Sequence, residues 1–249
     1  MVSLRLTGQA VTCSLIQPTK NAARLISPVR TMEQNTNKVA EAYDAIAREY
    51  AEKFYGEHEM KPLDREVLYR FSQEVAGKKP IWDFGCGPGH TAQYLRDLGI
   101  EISGLDVSEK LIEQAHAIHP DITFRRGDIL DLEFEDGSIA GIVAFYAIVH
   151  FSQEQAAKAF REIFRVLQPG GVFLFTYHIG EGAIHLDEFL GKDVDIDVMF
   201  FKTDFVSLCI KDAGFEGAEI IERDPYPAVE YQSRRAYVFA KKPIVNRDS

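Results

Sequence analysis

The stretch from Asp83 to Gly89 contains the residues best suited to hold a ligand against the backbone. Gly85, Gly87 and Gly89 alternate with other residues, and Asp83 comes two positions before the first of them. Glycine has no Cβ, so a ligand can approach the main chain closely. A helix that begins after such a turn directs its free N–H groups and the positive end of its dipole at the ligand. The pattern therefore predicts a binding turn, with Asp83 available to an ammonium group.

The residues around this turn predict the elements that position it. A short apolar segment at 79–82 precedes the turn, and residues 91–98 follow it with a helical pattern. Further apolar and helical segments alternate along the chain, which is typical of a parallel sheet with right-handed crossovers. We therefore predict an α/β fold with a doubly wound sheet and helices on both faces. The predicted strands are 79–82, 100–106, 122–125, 139–145, 172–177, 218–223 and 235–240, and the predicted helices are 37–54, 63–75, 91–98, 108–117, 152–167 and 203–213.

Two further acids follow successive predicted strands. Asp106 ends the strand at 100–106, and Asp128 comes shortly after the strand at 122–125. Ligands of open parallel sheets bind at the carboxyl ends of the strands, so both acids are expected near the glycine turn. Asp106 is spaced as an acid that takes two ribose hydroxyls, and it would serve a dinucleotide enzyme equally well. Asp128 is placed to accept from an adenine amino group, with Ile129 stacked on the ring.

Together these motifs resemble those of class I S-adenosylmethionine-dependent methyltransferases. The glycine spacing is Gly-x-Gly-x-Gly, whereas dinucleotide-binding folds use Gly-x-Gly-x-x-Gly. The helix core from Tyr43 to Tyr50 is similar to the N-terminal helix of many small-molecule members. The turn from Gln168 to Gly171 and the two terminal strands also match, so the resemblance extends from Tyr43 to about Lys242.

The resemblance implies a Rossmann-like sheet with an antiparallel last strand, and S-adenosyl-L-methionine as the cofactor. No metal is expected. Tyr43 and Tyr50 either lie over the cofactor or simply pack as part of an amphipathic helix. The residues implied in cofactor binding are Tyr43, Tyr50, Asp83, Gly85, Cys86, Gly87, Gly89, Asp106, Val107, Asp128, Ile129 and Phe145.

A general base is needed only if the acceptor must lose a proton. His150, five residues beyond Phe145, is the best-placed candidate for catalysis, and Tyr146 lies beside it in the predicted site. The alternative is that His150 belongs to the turn before the next helix. His178 and His185 are weaker candidates.

Charge and a missing motif favour a small-molecule acceptor. The net charge of -10 argues against a broad phosphate-binding face and so against nucleic acid. The Asn-Pro-Pro-Tyr or Asp-Pro-Pro-Tyr box that the family uses on nucleobase and amide nitrogens is absent, and Phe145-Tyr146-Ala147-Ile148 stands in its place. We therefore predict methyl transfer to an oxygen, nitrogen or carbon atom of a small molecule. A cofactor-binding protein without transfer activity and a nicotinamide-dependent oxidoreductase are the alternatives.

Changes in composition predict the domain organisation. Residues 1–31 carry basic side chains and no acid, which fits either an upstream extension or a targeting peptide, and we expect disorder through residue 35. Residues 36–249 are predicted to form one methyltransferase domain, with an acidic insertion at about 178–202 as part of a substrate lid. Three widely spaced cysteines fit a reducing compartment, and no apolar run is long enough to span a bilayer. We expect a cytoplasmic monomer or homodimer without membrane or nucleic-acid partners.

Overall fold

The computed structural model describes residues 23–26 and 36–244. The strands in this part of the chain are β1 (Ala23–Ile26), β2 (Ile81–Phe84), β3 (Ile102–Asp106), β4 (Thr123–Arg126), β5 (Ile139–Ala144), β6 (Leu167–His178), β7 (Ala183–Phe189), β8 (Lys192–Met199), β9 (Glu216–Arg223) and β10 (Arg235–Lys241). The helices are α1 (Thr36–Phe54), a 3-10 helix (Glu57–Met60), α2 (Pro62–Val75), α3 (His90–Asp97), α4 (Glu109–Ile118), α5 (Gln153–Val166) and α6 (Thr203–Ala213). None of these helices is both long enough and apolar enough to cross a bilayer.

Seven strands form the main sheet, in the order β4-β3-β2-β5-β6-β10-β9. The first five in this order are parallel to one another. β10 is antiparallel to both of its neighbours, β6 and β9. The predicted α/β fold with a mostly parallel sheet and an antiparallel last strand is therefore confirmed.

Helices cover both faces of this sheet and bury two apolar cores. α5 and α6 contribute Phe160 and Ile210 to the core that includes Phe173. α2 contributes Phe71 to the core that includes Leu174. Phe173 and Leu174 are consecutive residues of β6, and consecutive side chains of a strand point to opposite faces. The sheet is thus doubly wound, and β5 is buried along its whole length between the two helical layers.

A smaller sheet has the order β1-β7-β8. β7 and β8 form an antiparallel hairpin inside the segment predicted as an insertion, and α1 packs against β8. β1 pairs with β7, with Ala23 opposite Leu186. This strand differs from the predicted disorder, because the edge of a hairpin offers unpaired N–H and C=O groups to a segment that reaches it. The rest of the predicted disordered segment, 1–22 and 27–35, lies outside the described residues.

The start of α5 is determined by a capping box, as the Ser-Gln-Glu-Gln sequence predicts. Ser152 Oγ accepts a hydrogen bond from Gln155 N–H at 3.2 Å, and the Gln155 side chain accepts one from Ser152 N–H at 2.9 Å. Both bonds satisfy N–H groups that would otherwise have no partner within the helix.

Replacing Ser152 with alanine is expected to lower the free energy of unfolding by about 1 kcal/mol, because it removes one side of this box. Ser152→Thr keeps the hydroxyl and serves as the matched control, which should retain most of the stability. Urea unfolding followed by circular dichroism measures both variants. Equal losses in the two variants would show that the capping hydrogen bond does not stabilise α5.

Candidate active site

The carboxyl ends of β2 to β5 lie along one side of a cavity of about 520 Å³. This volume is in the range of small-molecule sites, and the crevice lies where the strand order reverses, between β2 and β5. Residues of α1 and of the β7–β8 hairpin line the cavity as well. The predicted site residues that line it are Tyr43, Tyr50, Gly85, Cys86, Gly87, Asp106, Val107, Asp128, Ile129, Phe145, Tyr146 and His150.

The three glycines of the turn after β2 have different roles. A Cβ on Gly85 or Gly89 would come within 2.6 Å of neighbouring side-chain atoms, so packing inside the protein requires these two glycines. Among the described residues, a Cβ on Gly87 would have one neighbour within 4 Å, the Tyr50 ring at 3.7 Å. Gly87 is therefore the position where the missing side chain exposes the backbone to a ligand. Gly89, a predicted cofactor residue, does not line the cavity.

Asp106 fixes the position of this turn. Its Oδ2 accepts a hydrogen bond from Gly87 N–H at 2.9 Å, and its Oδ1 accepts one from Ser108 N–H at 2.9 Å. Burial raises the pKa of Asp106, although the N–H groups of Ser108 and Gly87 act in the opposite direction. Each carboxylate oxygen has two lone pairs, so the side chain can shape the turn and still accept from a ligand in the cavity.

Asp128 lies two residues beyond β4, and its geometry is simpler. Oδ1 accepts a hydrogen bond from Leu130 N–H at 2.8 Å. Among the described residues Oδ2 has no hydrogen-bond partner, and the side chain lines the cavity next to the buried Ile129. The structure thus brings Asp128 together with Asp106 and Gly87, as the sequence predicts.

Asp83 lies away from the cavity surface. Its side chain is 1% exposed, and within the described part of the chain its Oδ2 has no hydrogen-bond partner. Burial, with the nearby charge of Asp106, raises the pKa of Asp83 to about 8. The folded protein therefore keeps this carboxyl group largely protonated at neutral pH, and the geometry does not present it to a ligand's ammonium group.

α1 brings two tyrosines to the cavity, and Asp44 attaches this helix to α4. Asp44 Oδ1 accepts hydrogen bonds from Ser108 Oγ–H at 2.6 Å and from Lys110 N–H at 3.0 Å. The rings of Tyr43 and Tyr50 contact each other edge to face, with centroids 5.4 Å apart. The helical pattern of the sequence points to the tyrosines but not to Asp44, for which the position directly after Tyr43 is the one available signal.

His150 forms a chain of two hydrogen bonds. Its Nδ1 is 2.7 Å from the carbonyl oxygen of Asp197, and its Nε2 is 2.8 Å from the Tyr43 hydroxyl. A carbonyl can only accept, so Nδ1 carries the proton. Burial lowers the pKa of His150, so the ring is neutral and Nε2 accepts from Tyr43 O–H. These two contacts therefore fix the tautomer of His150, and the lone pair of its Nε2 accepts the hydrogen bond from the Tyr43 hydroxyl.

Tyr146 has a strained backbone, with φ of 55°, at the end of β5. Its N–H donates to Thr176 Oγ1 at 2.8 Å, while its hydroxyl is buried without a partner among the described residues. Burial raises the pKa of Tyr146 above its usual range, so the phenol stays protonated. His178 lines the cavity beside it, whereas His185 does not and contacts two aspartates of the hairpin instead.

Three buried charged residues outside the predicted motifs also line the cavity. They are Lys61, Glu230 and Arg235, and each is at most 5% exposed. Lys61 is distant in sequence from the other two, and no motif relates the three to one another. Charged residues at the ends of elements are usually solvated. Only the tertiary structure shows that these three are buried.

A glycine turn and two acids at the ends of three adjacent strands define a class of protein that binds a nucleoside-containing cofactor. Residues 81–171 match a family described as methyltransferase domain. A Mycolicibacterium smegmatis protein, described as a probable S-adenosylmethionine-dependent methyltransferase, is 36% identical over 45% of this chain and 42% of its own length. The malonyl-[acyl-carrier protein] O-methyltransferase of Erwinia billingiae is 32% identical over 57% of this chain and 54% of its own.

The chain thus spans about half the length of the curated relatives it matches. Other relatives are named for sterol and tRNA methylation, so the names do not agree on an acceptor. Among solved structures, the crystal structure of the [4+2]-cyclase SpnF superposes on this chain with a TM-score of 0.64, over 85% of this chain and 98% of that one. The two sequences are 16% identical, so this likeness shows the fold alone. The match over residues 81–171 and these relatives support the superfamily of class I S-adenosylmethionine-dependent methyltransferases, which implies S-adenosylmethionine as the cofactor.

Gly87→Ala is expected to weaken cofactor binding by at least about tenfold, because the new methyl group would occupy space beside the exposed backbone. Gly77→Ala is the matched control, since Gly77 also has positive φ, at 75°, and a Cβ there would meet nothing within 4 Å. Both variants should lose about 1 kcal/mol of stability from backbone strain. Titration calorimetry separates them. Equal affinities in the two variants would mean that the turn has only a structural role.

Asp83→Asn is expected to make the free energy of unfolding less dependent on pH across the mildly acidic to neutral range. The pKa of Asp83 rises from an ordinary value of 3.8 to about 8 on folding. The native state therefore binds an extra proton between these values, and wild-type stability should fall by on the order of 1.4 kcal/mol per pH unit as pH rises through this window. Asparagine mimics the neutral acid and removes this loss. Urea unfolding at several pH values measures the effect. Parallel stability profiles for the two proteins would contradict the raised pKa.

Proposed function

We propose that the protein transfers the methyl group of S-adenosylmethionine to a small-molecule acceptor inside this cavity. The observation that carries the proposal is the exposed backbone of Gly87 beside Asp106 and Asp128, at the ends of three adjacent strands. These positions fit a ligand with a charged tail, a ribose and a base. A nicotinamide enzyme would use the other glycine spacing.

Each part of the cofactor has a protein group suited to it. Gly87 would contact the methionyl tail, Asp106 would accept from the ribose hydroxyls, and Asp128 would accept from the adenine amino group. Tyr43 and Tyr50 lie over this region from α1. When bound, S-adenosylmethionine supplies an electrophilic methyl group on a sulfonium, and aromatic faces stabilise such a cation.

The hydrogen bonds of His150 support a route for a proton. An acceptor O–H or N–H can pass its proton to the Tyr43 oxygen while Tyr43 passes its own proton to His150 Nε2. Asp197 O keeps Nδ1–H in position and stabilises the imidazolium that forms. Tyr43 then never becomes a free phenolate, a state that burial and the charge of Asp106 disfavour by raising its pKa. The protonated Tyr146 is unsuited to the role of base.

A cavity lined in part by covering elements, in an acidic chain, favours a small acceptor over a macromolecule. α1 and the hairpin contribute much of the lining, so a folded RNA would have to displace them to reach Gly87. The net charge of -10 also opposes phosphate binding. The proposed reaction therefore shares methyl transfer with the relatives named for sterol and tRNA methylation, but it uses a different acceptor.

Calorimetry is expected to show binding of S-adenosylmethionine and of its demethylated product, and none of nicotinamide dinucleotides. Asp106→Asn removes the charge but keeps one accepting oxygen. This variant should lower the affinity for the demethylated product by about one to two powers of ten. The loss should be much smaller for an analogue that lacks both ribose hydroxyls.

Incubating the protein with methyl-labelled cofactor and a metabolite extract then tests transfer. Preference for a nicotinamide dinucleotide would contradict the assignment. Cofactor binding without any labelled small molecule would instead favour a binding protein without transfer activity.

A further inference from the structure

The cavity has a second half, next to the proposed cofactor half. Along the sheet edge, Asp128, Asp106 and Gly87 follow β4, β3 and β2, and Tyr146, His178 and Arg235 then lie at β5, β6 and β10. Because β10 is antiparallel, its first residue, Arg235, lies opposite His178, the last residue of β6. We call Lys61, Tyr146, His178 and Arg235 the basic corner. All four line the cavity.

The hydroxyl of Tyr146 has no partner within the described residues, although it is buried. Its ring cannot turn away easily. The strained backbone is tied to Thr176 Oγ1, and the ring packs on His178 with centroids 5.2 Å apart. An unpaired buried hydroxyl destabilises a protein. A ligand that accepts a hydrogen bond from it would therefore gain binding free energy that the fold itself does not use.

Two cations flank this hydroxyl-bearing ring. Lys61 Nζ is 5.6 Å and Arg235 Cζ is 5.7 Å from the ring centre of Tyr146. Arg235 Nη1 donates to the carbonyls of Tyr231 and Ser233, at 2.9 and 2.7 Å. No hydrogen bond among the described residues uses its Nη2. A charged donor and a phenolic donor are thus both available at the basic corner.

The carboxylates nearby are already engaged. Glu57 pairs with Lys61 at 2.5 Å. Glu230 pairs with Arg223 and approaches Arg235 Nε at 3.1 Å, and its Oε1 also accepts from the backbone N–H of Tyr226. These contacts occupy the carboxylates of Glu57 and Glu230, whereas the Tyr146 hydroxyl has no hydrogen-bond partner among the described residues. In agreement, burial together with Arg235 and Lys61 holds the pKa of His178 well below its ordinary value.

We propose that the acceptor is a small carboxylic acid whose carboxylate binds Tyr146 O–H and Arg235 Nη2. This inference rests on the proposed methyl transfer and names the substrate class of the same site. A planar carboxylate offers one oxygen to each of the two donors, whereas a phosphate would carry more charge and more oxygens than the corner can satisfy. Phe145, Phe200 and Tyr231 also line the cavity, so the body of the acid is flat and apolar.

Tyr146→Phe tests this with little risk to the fold, because the hydroxyl it removes has no hydrogen-bond partner among the described residues. The probes are benzoate and phenylacetate, each compared with its primary amide, on protein saturated with demethylated cofactor. We expect saturation-transfer NMR titrations to show that the acids bind wild type better than the amides. Tyr146→Phe should lower the affinity for the acids by about tenfold or more, and the affinity for the amides by less. Its melting temperature should be unchanged or higher.

Tyr177→Phe is the matched control. Tyr177 is buried in the next strand and its hydroxyl contacts Thr203 Oγ1 at 3.4 Å, away from the cavity, so acid binding should not change. Failure of both acids to bind, equal binding of acids and amides, or equal losses in Tyr146→Phe and Tyr177→Phe would overturn the proposal. Failure of the demethylated cofactor to bind wild type would instead overturn the proposed function, so the two failures are distinguishable.

Discussion

The site depends on one buried carboxylate. Asp106 accepts hydrogen bonds from the N–H groups of Gly87 and Ser108, and in doing so it joins the turn after β2 to the start of α4. A buried charge is costly unless hydrogen bonds compensate it. The same two bonds therefore stabilise the charge and define the backbone path at Gly87. A ligand that reaches Asp106 meets an acceptor that the protein has already oriented.

The position of α1 depends on Ser108, at the same junction between the turn after β2 and the start of α4. Ser108 caps α4 with its hydroxyl oxygen, which accepts from Leu111 N–H, and donates its proton to Asp44. Asp44 thereby fixes the part of α1 that carries Tyr43 over the cavity. By contrast, the ion pairs between α1 and the hairpin, such as Lys38 with Asp195, are exposed and contribute little. The hydrogen bonds of Asp44 with Ser108 and Lys110 therefore position α1 more firmly than these exposed ion pairs do.

Much of this arrangement could be predicted from the sequence, because it follows from local rules. The glycine turn, Asp106 and Asp128 all follow strands, and parallel strands bring their carboxyl ends to one edge. The same reasoning could not distinguish Gly87 from Gly89, since the difference lies in which side chains pack behind each glycine. It also could not find Lys61 and Arg235. The burial of Arg235, the first residue of β10, depends on the insertion of this strand between β6 and β9, a long-range pairing that no spacing records.

The two halves of the cavity differ in whether main-chain groups or long side chains line them. In the proposed cofactor half, strand ends and a turn present main-chain groups and short acids, so a sequence motif suffices to describe it. The other half is lined by the long side chains of Lys61, directly before α2, and of Arg235 in β10, and Tyr146 there has a strained backbone. Between them lies His150, whose hydrogen bonds join α1 through Tyr43 to β8 through Asp197. Movement of either covering element would break that chain, so His150 keeps this orientation only when both elements are in place over the cavity.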